Sequence, residues 1–226
     1  MKERPILFSG PLVRAILAGR KTETRRVVKL PSGINLVERS TAGEWLFSVA
    51  REGRDPALIH AQRCPYGGPG DRLWVRETWR PWGWDDDQTP YCLLKYRADG
   101  GEGRTEMPRS KILQWAAEYD AIHPGDEAAK VAWWDRWRPS IHMPRWASRI
   151  LLEVTDVRVE RLQAITEEGA RAEGVEPAPF CKSGRPVGMW HVETFECLWD
   201  EINSKRAPWG GNPWVWVVSF KRVEGA

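Results

Sequence analysis

The spacing of apolar positions changes several times along the chain, and each change predicts an element. Leu12, Val13, Ile16 and Leu17 fall on one face at helical spacing. Ser9 stands where an N-cap belongs, and Pro11 where a first-turn proline is tolerated. Gly19 follows the last apolar position, which predicts a helix stopped by a left-handed residue. Lys21, Glu23 and Arg25 then alternate with Thr22, Thr24 and Arg26, a strand that is polar on both faces. A strand needs only one polar face to fold, so one of these is expected to meet a cleft or a ligand. Further strands are predicted at Pro5–Phe8, Glu44–Val49, Arg72–Trp79 and Tyr91–Tyr96, whereas Arg51–Arg63 has no clear period. Ile150–Val159 is the strongest strand, with Leu152, Val154, Val157 and Val159 available for burial. His191–Ser204 reads as an amphipathic helix with Phe195, Leu198, Trp199 and Ile202 inward. After Pro213, Trp214–Lys221 carries apolar residues at odd and even positions, which predicts a strand buried on both faces.

Between these elements lies turn chemistry. Cys64–Asp71 is rich in Pro and Gly, and Gly70-Asp71 leads directly into the strand at Arg72. Residues from about 99 to 148 read as an insertion: a loop at Gly100–Gly103, short helices at Ser110–Tyr119 and Glu127–Trp137, and a proline-rich run at Arg138–Trp146. Thr166 predicts the N-cap of a short helix with acids in its first turns, ended by Gly174. Glu176–Gly188 reads as a loop. No internal repeat or linker divides the chain, so the pattern predicts a single domain over residues 1–226 with one large insertion, of α+β class and mainly β.

Composition changes this picture little. With 226 residues, 42% hydrophobic and 29% charged, the chain can bury a core. Its 34 Lys and Arg against 31 Asp and Glu give a net charge of +3, which permits a nucleic-acid partner without demanding one. The 15 Trp are unusual, and several adjoin Arg or Pro, as in Trp79-Arg80-Pro81-Trp82 and Arg145-Trp146. Aromatic and guanidinium planes can stack bases, but core filling is the expectation for most of these rings. Cys64, Cys92, Cys181 and Cys197 are scattered without metal-ligand spacing, and no signal peptide precedes them. Reduced thiols in a cytoplasm are therefore expected, with neither metal nor cofactor. No apolar run approaches membrane-spanning length.

The run Gly19-Arg20-Lys21-Thr22-Glu23-Thr24-Arg25-Arg26 resembles the signature of the ASCH domain, a PUA-like small β-barrel. Gly19, Lys21 and Arg26 match the family pattern Gly-x-Lys-x-x-Glu-x-Arg, while Thr24 replaces its acid. The N4-acetylcytidine amidohydrolase branch also carries Thr there, and its run is matched at Gly19, Arg20, Lys21, Thr22, Thr24 and Arg26. The Gly70-Asp71 strand resembles a second family feature, and Arg138–Trp146 resembles a segment of the longer, phage-type members. The resemblance implies a PUA-like barrel with peripheral helices. It covers about the first thirty residues, Gly67–Trp79 and Ile150 to the C-terminus, and leaves the 99–148 insertion untouched.

It also implies a catalytic set of Lys21, Thr24 and Glu173, the last near the end of the short helix after the long central strand. Lys21 and Thr24 are three residues apart, which in a fully extended strand puts them on opposite faces. Their convergence requires a turn or bulge at Gly19–Thr22. A Thr hydroxyl becomes a nucleophile only when a base takes its proton. A Lys amine serves as that base only if burial or nearby cations, here Arg25, Arg26 or Arg76, favour its neutral form. Alternatively Glu173 activates water and Lys21 stabilises the developing charge. The expected activity is amidohydrolysis of an acylated pyrimidine in a nucleoside, nucleotide or RNA. The competing readings are a PUA-like module that binds RNA or single-stranded nucleic acid through Arg20, Arg25, Arg26, Arg76 and Trp79, with or without nuclease activity, and a phage accessory protein. Each residue also has an ordinary role: Glu173 ending a helix, Lys21 in a surface ion pair, Thr24 in a strand, His142 in a loop.

Overall fold

The structure is a computed structural model and describes residues 1–31, 33–40, 44–51, 54–85, 91–106, 114, 117, 121, 136–181, 184, 188 and 190–224. It is an α+β protein, mainly β. Its strands are β1 (Glu3–Leu7), β2 (Glu23–Val27), β3 (Leu36–Arg39), β4 (Trp45–Arg51), β5 (Arg54–Gln62), β6 (Arg72–Arg76), β7 (Trp79–Asp85), β8 (Tyr91–Tyr96), β9 (Glu102–Glu106), β10 (Leu151–Arg161) and β11 (Trp214–Arg222). Three helices accompany them: α1 (Gly10–Leu17), α2 (Glu167–Ala172) and α3 (His191–Asn203). The largest sheet has the order β1-β6-β10-β11-β2, and two three-stranded sheets have the orders β3-β4-β5 and β7-β8-β9. The described strands of the large sheet form an open series with β1 and β2 at its ends.

By contact density the chain forms two compact units. The first comprises Met1–Arg4, Ala15–Leu73 and Leu152–Arg222; the second comprises Pro5–Arg14, Trp74–Leu151 and the chain from Val223 onward.

The first unit is built around β11, which pairs antiparallel with both β10 and β2. Val215 and Val217 pack with Leu162, Ile165, Ala170, Val175, Phe195 and Trp199 beneath α2 and α3. On the opposite face Trp216 meets Trp45 and Phe47 edge-on, with ring centroids 6.1 and 6.2 Å apart. The apolar residues at both parities of β11 thus have partners on both sides, as its pattern predicts. In α3 Phe195 and Trp199 are buried, but Ile202 is 61% exposed, so its expected inward position is corrected. The helix ends at Asn203, and the chain then folds back until the Trp199 indole donates to Ala207 O at 2.8 Å. This covers α3 one turn short of Ile202. Cys197 also faces inward and is disulfide-bonded to Cys181, with Cα atoms 5.7 Å apart, which corrects the expectation of four free thiols.

β5 lies where no period could be read. Its register against β4 shifts at Phe47/Ser48 and again at Val49/Arg51. Each shift flips the alternation of side chains, which removes the two-residue period from the sequence.

In the second unit Trp79, Cys92, Leu94, Tyr96, Met143 and Ala147 form the core, with Trp146 packed edge-on to Trp79 at 5.5 Å. The loop expected at Gly100–Gly103 is instead a hairpin turn leading into β9: Gly100 is left-handed at φ 73°, and the Tyr96 amide donates to Gly101 O at 2.9 Å. β9 pairs along β8 from Tyr91 to Lys95. Arg138–Trp146 is not an α-helix, as its prolines predict, and forms two single 3-10 turns, Ser140–His142 and Arg145–Ala147. The helices expected at 110–119 and 127–137 fall largely outside the described residues. Cys64 and Cys92 are free and buried, and burial pushes their thiols up to about 11 and about 12.

Candidate active site

The end of α1 delivers Lys21. Gly19 adopts φ 72°, the left-handed stop expected there. Ala15 O then accepts both the Arg20 amide (2.9 Å) and the Lys21 amide (3.1 Å). This turn leaves Lys21 just outside β2, which begins at Glu23. A turn at Gly19–Thr22 is therefore present, but it brings Lys21 to Glu173, and among the described residues no hydrogen bond joins Lys21 to Thr24.

Glu173 arrives from the other side. Thr166 caps α2 by accepting the Gly169 amide at 3.1 Å, and Glu173 ends the helix. Gly174 follows at φ 79°, where a Cβ would stand 2.7 Å from the Lys21 Cβ and 2.8 Å from the Ala15 Cβ. Only glycine suits both that backbone and that approach. The Thr22 amide donates to Ala172 O at 2.8 Å, tying the end of α2 to the approach to β2.

Lys21 and Glu173 meet there, 2% and 5% exposed. Lys21 Nζ donates to Glu173 Oε2 at 2.5 Å, to Glu23 O at 2.7 Å and to Glu173 O at 2.9 Å. Glu173 Oε1 accepts the Arg25 backbone amide at 2.5 Å. Because β2 is the last strand of its sheet, its outward Arg25 N–H and Glu23 C=O have no neighbouring strand. The lysine–glutamate pair satisfies both groups and so closes an edge that would otherwise be open.

A second ring of charge surrounds the pair. The Arg25 guanidinium reaches Glu160 Oε1 at 2.8 and 3.0 Å and Glu173 Oε1 at 3.5 Å. Arg158 forks onto Glu23 at 2.9 and 3.0 Å, and Ser219 Oγ donates to Glu23 Oε1 at 2.9 Å. Lys21, Arg25 and Arg158 thus balance Glu23, Glu160 and Glu173. Burial, the largest influence, pulls the Lys21 amine below the ordinary lysine range; Glu173 opposes this by charge and hydrogen bond, and Arg26 and Arg25 reinforce it. Burial pushes Glu23 upward, but the Arg158 fork, the Ser219 hydroxyl and the Arg25 charge outweigh it and hold Glu23 below the usual carboxylate range.

Thr24 stands apart from this pair. It is 3% exposed and lies opposite Val218, on the strand face that alternates with Glu23 and Arg25. Among the described residues no hydrogen bond joins its hydroxyl to Lys21, to Glu173 or to any other group. The structure therefore joins two of the three expected catalytic residues and leaves the third with an uncommitted hydroxyl one strand position from Arg25.

The expected nucleic-acid contacts divide. Arg25 is buried among carboxylates and has no face left for a phosphate, which corrects that assignment. Trp79 is 1% exposed, with Trp146 edge-on to it and Arg138 5.4 Å from its ring centre, so its expected stacking role is corrected as well. Arg76, in the second unit, donates to Met143 O at 3.1 Å and lies 4.9 Å from the Trp74 ring centre. Arg20 is half-exposed and pairs with Glu176 at 2.6 Å. Arg26 shares the Thr24 face of β2 and lines an open groove of 940 Å³. His142 is exposed in its turn.

Sequence reasoning missed Glu160 and Arg158 as partners of the cluster. Their alternation on β10 was the available signal, since residues two apart share a strand face. Among the described residues no three His, Cys, Asp or Glu are grouped to hold a metal ion, and no helix is long and apolar enough to cross a membrane.

The frame is thus an α+β protein whose sheet edge is sealed by a buried lysine–glutamate pair. No family model, curated protein or solved structure matches the chain.

Proposed function

We propose that this protein is an amidohydrolase of ASCH type on a PUA-like scaffold, removing an acyl group from the exocyclic amine of an N4-acylated cytosine. The observation that carries the reading is the 2.5 Å contact between Lys21 and Glu173 inside a buried, charge-balanced cluster. Burial there favours a lysine that gives up its proton, which a general base requires.

The geometry favours water rather than Thr24 as the nucleophile, because the Thr24 hydroxyl is not bonded to either proton-handling group. In this scheme the Lys21–Glu173 pair takes a proton from water as the water oxygen bonds to the acyl carbon. The tetrahedral species collapses by breaking the carbon–nitrogen bond. The pair returns the proton to the leaving amine, giving cytosine and a carboxylic acid. The Thr24 hydroxyl is then a hydrogen-bonding group for the substrate.

The test is deacylation of N4-acetylcytidine, supplied as nucleoside, as nucleotide and within RNA, followed by chromatography. Lys21→Ala and Glu173→Gln are expected to lose at least a hundredfold in turnover, within the usual span for a lost acid–base group. Thr24→Val is expected to lose less than either. Equal loss at Thr24→Val with partial retention in Thr24→Ser would restore Thr24 as the nucleophile. An inert wild type on all three substrates would overturn the reading.

A further inference from the structure

The groove lined by Arg26 is built from two segments far apart in sequence. Val27, Val28, Lys29, Leu30 and Pro31 come from the end of β2 and the chain after it, and Asn203, Arg206, Ala207, Pro208, Gly211 and Pro213 from the end of α3 and the chain after it. Tyr66, from the glycine-rich turn, completes it. At 940 Å³ its volume is at the upper end of those that hold small-molecule ligands.

Its chemistry is one-sided. Arg26, Lys29 and Arg206 line it, and among the described residues no carboxylate does. Lys29 and Arg206 are exposed, and among the described residues neither has an acidic partner. This sets the groove apart from the Lys21 cluster, where each cation is matched by a carboxylate. Tyr66 is half-buried, lines the groove and makes no aromatic or cation-π contact among the described residues. Two or three cations beside an aromatic ring suit a phosphate joined to a base.

The groove also has an orientation. Arg26 and Thr24 project from the same face of β2, two residues apart, a step of about 7 Å along a strand. A nucleotide whose base reaches Thr24, 3% exposed here, can therefore set its phosphate at Arg26 and the groove beyond.

We propose that this groove is the phosphate-binding part of the substrate site, so that the protein takes its base from a phosphorylated species rather than a free nucleoside. The base position rests on the amidohydrolase reading; the anion site does not. A mononucleotide and a single-stranded polynucleotide offer the same phosphate chemistry, and the experiment separates them.

Binding is measured by calorimetry at low salt with unmodified cytidine, CMP and a short oligocytidylate, which require no turnover. CMP or the oligonucleotide is expected to bind at least tenfold more tightly than cytidine. The double variant K29E/R206E is expected to lose at least tenfold of that affinity, and Tyr66→Ala to lose about five- to 160-fold, the span of about 1–3 kcal/mol for one stacked base. Melting temperature checks that each variant folds. A polynucleotide site shows a salt dependence steeper than one released counterion, whereas a mononucleotide site does not gain from added residues. Equal affinity for cytidine, CMP and oligonucleotide, or an unaffected K29E/R206E, overturns the proposal. Phosphate-dependent binding without deacylation upholds the groove and removes the amidohydrolase reading. Deacylation that is indifferent to phosphate on the substrate does the reverse.

Discussion

Glu77 in the second unit accepts the Arg149 guanidinium at 2.9 and 3.1 Å, while Glu173 in the first accepts the single Lys21 amine at 2.5 Å. Both carboxylates are buried, and each has one cation as its chief partner. Arg149 also forks onto Asp99 at 2.7 and 3.0 Å and lies 4.1 Å from the Tyr96 ring centre. Burial works against its charge, but Glu77 and Asp99 together raise its pKa above the ordinary arginine value. That cation keeps its proton at any working pH. Burial, and secondarily Asp99, raises Glu77 above the usual carboxylate range, although Arg149 opposes this. The Lys21 site is the reverse: burial prevails over the carboxylate, and the cation is the group whose proton is loosened. The two carboxylates are similarly buried, but Lys21 is closed to solvent whereas Arg149 is one-fifth exposed. A planar fork on two acids makes a fixed brace, and an amine on one acid makes a group able to exchange a proton.

The sharpest way to break this comparison is to exchange the cations. Lys21→Arg is expected to reduce deacylation by about 10²–10⁴-fold, because a guanidinium cannot serve as a base. Arg149→Lys is expected to leave kcat/KM of the folded protein within about twofold. Steady-state kinetics on both variants decides it; retained activity in Lys21→Arg would make the first pair a brace like the second.

Removing the acid tests what the pairs share. Glu173→Ala and Glu77→Ala each leave a cation without its buried partner, and each is expected to cost about 3–5 kcal/mol in urea unfolding. A markedly smaller loss at Glu173 would mean that water already reaches the first site.

The pH dependence sharpens the contrast. For Lys21 the folded pKa lies below the ordinary 10.5, so the unfolded chain binds more protons between those two values. Stability then rises with pH across that window relative to Lys21→Met. For Glu77 the folded pKa lies above the ordinary 4.5, so the folded state binds more protons and stability falls as pH rises between those values, relative to Glu77→Gln. Denaturation series across pH should therefore separate the pairs by opposite slopes, the first gaining stability as pH rises toward 10.5 and the second losing it as pH rises from 4.5.

The smallest effect concerns support. Thr166→Ala removes the cap of α2, the helix that positions Glu173, and is expected to cost about 1 kcal/mol. If that helix end holds Glu173 in register, a drop in turnover accompanies it; thermal melting and kinetics on the same sample show whether the two move together.

Local rules account for what could be read in advance. Gly19 and Gly174 stop their helices in left-handed conformations because the apolar periods end just before them. Thr166 caps α2, and the two-sided burial of β11 follows from apolar residues at both parities, since each of these depends on near neighbours. The meeting of Lys21 with Glu173 was anticipated only through a resemblance, for nothing in the spacing of residues 152 apart reports a contact.

The sequence by itself determined the α+β character, the turn that lifts Lys21 out of β2, and the side-chain alternation of that strand, because short-range sterics and periodicity decide these. The tertiary structure alone decided which polar groups were consumed. Arg25 and Trp79 look as available in sequence as Lys29 and Tyr66. Arg25 turns inward because Glu160 and Glu173 lie on its face, and Trp79 because Trp146 and Met143 close over it. Lys29 stays exposed and Tyr66 half-exposed because the segment after α3 forms a groove beside them to which no acid among the described residues contributes. Burial and charge pairing depend on which distant segments arrive at a face, and that information belongs to the fold.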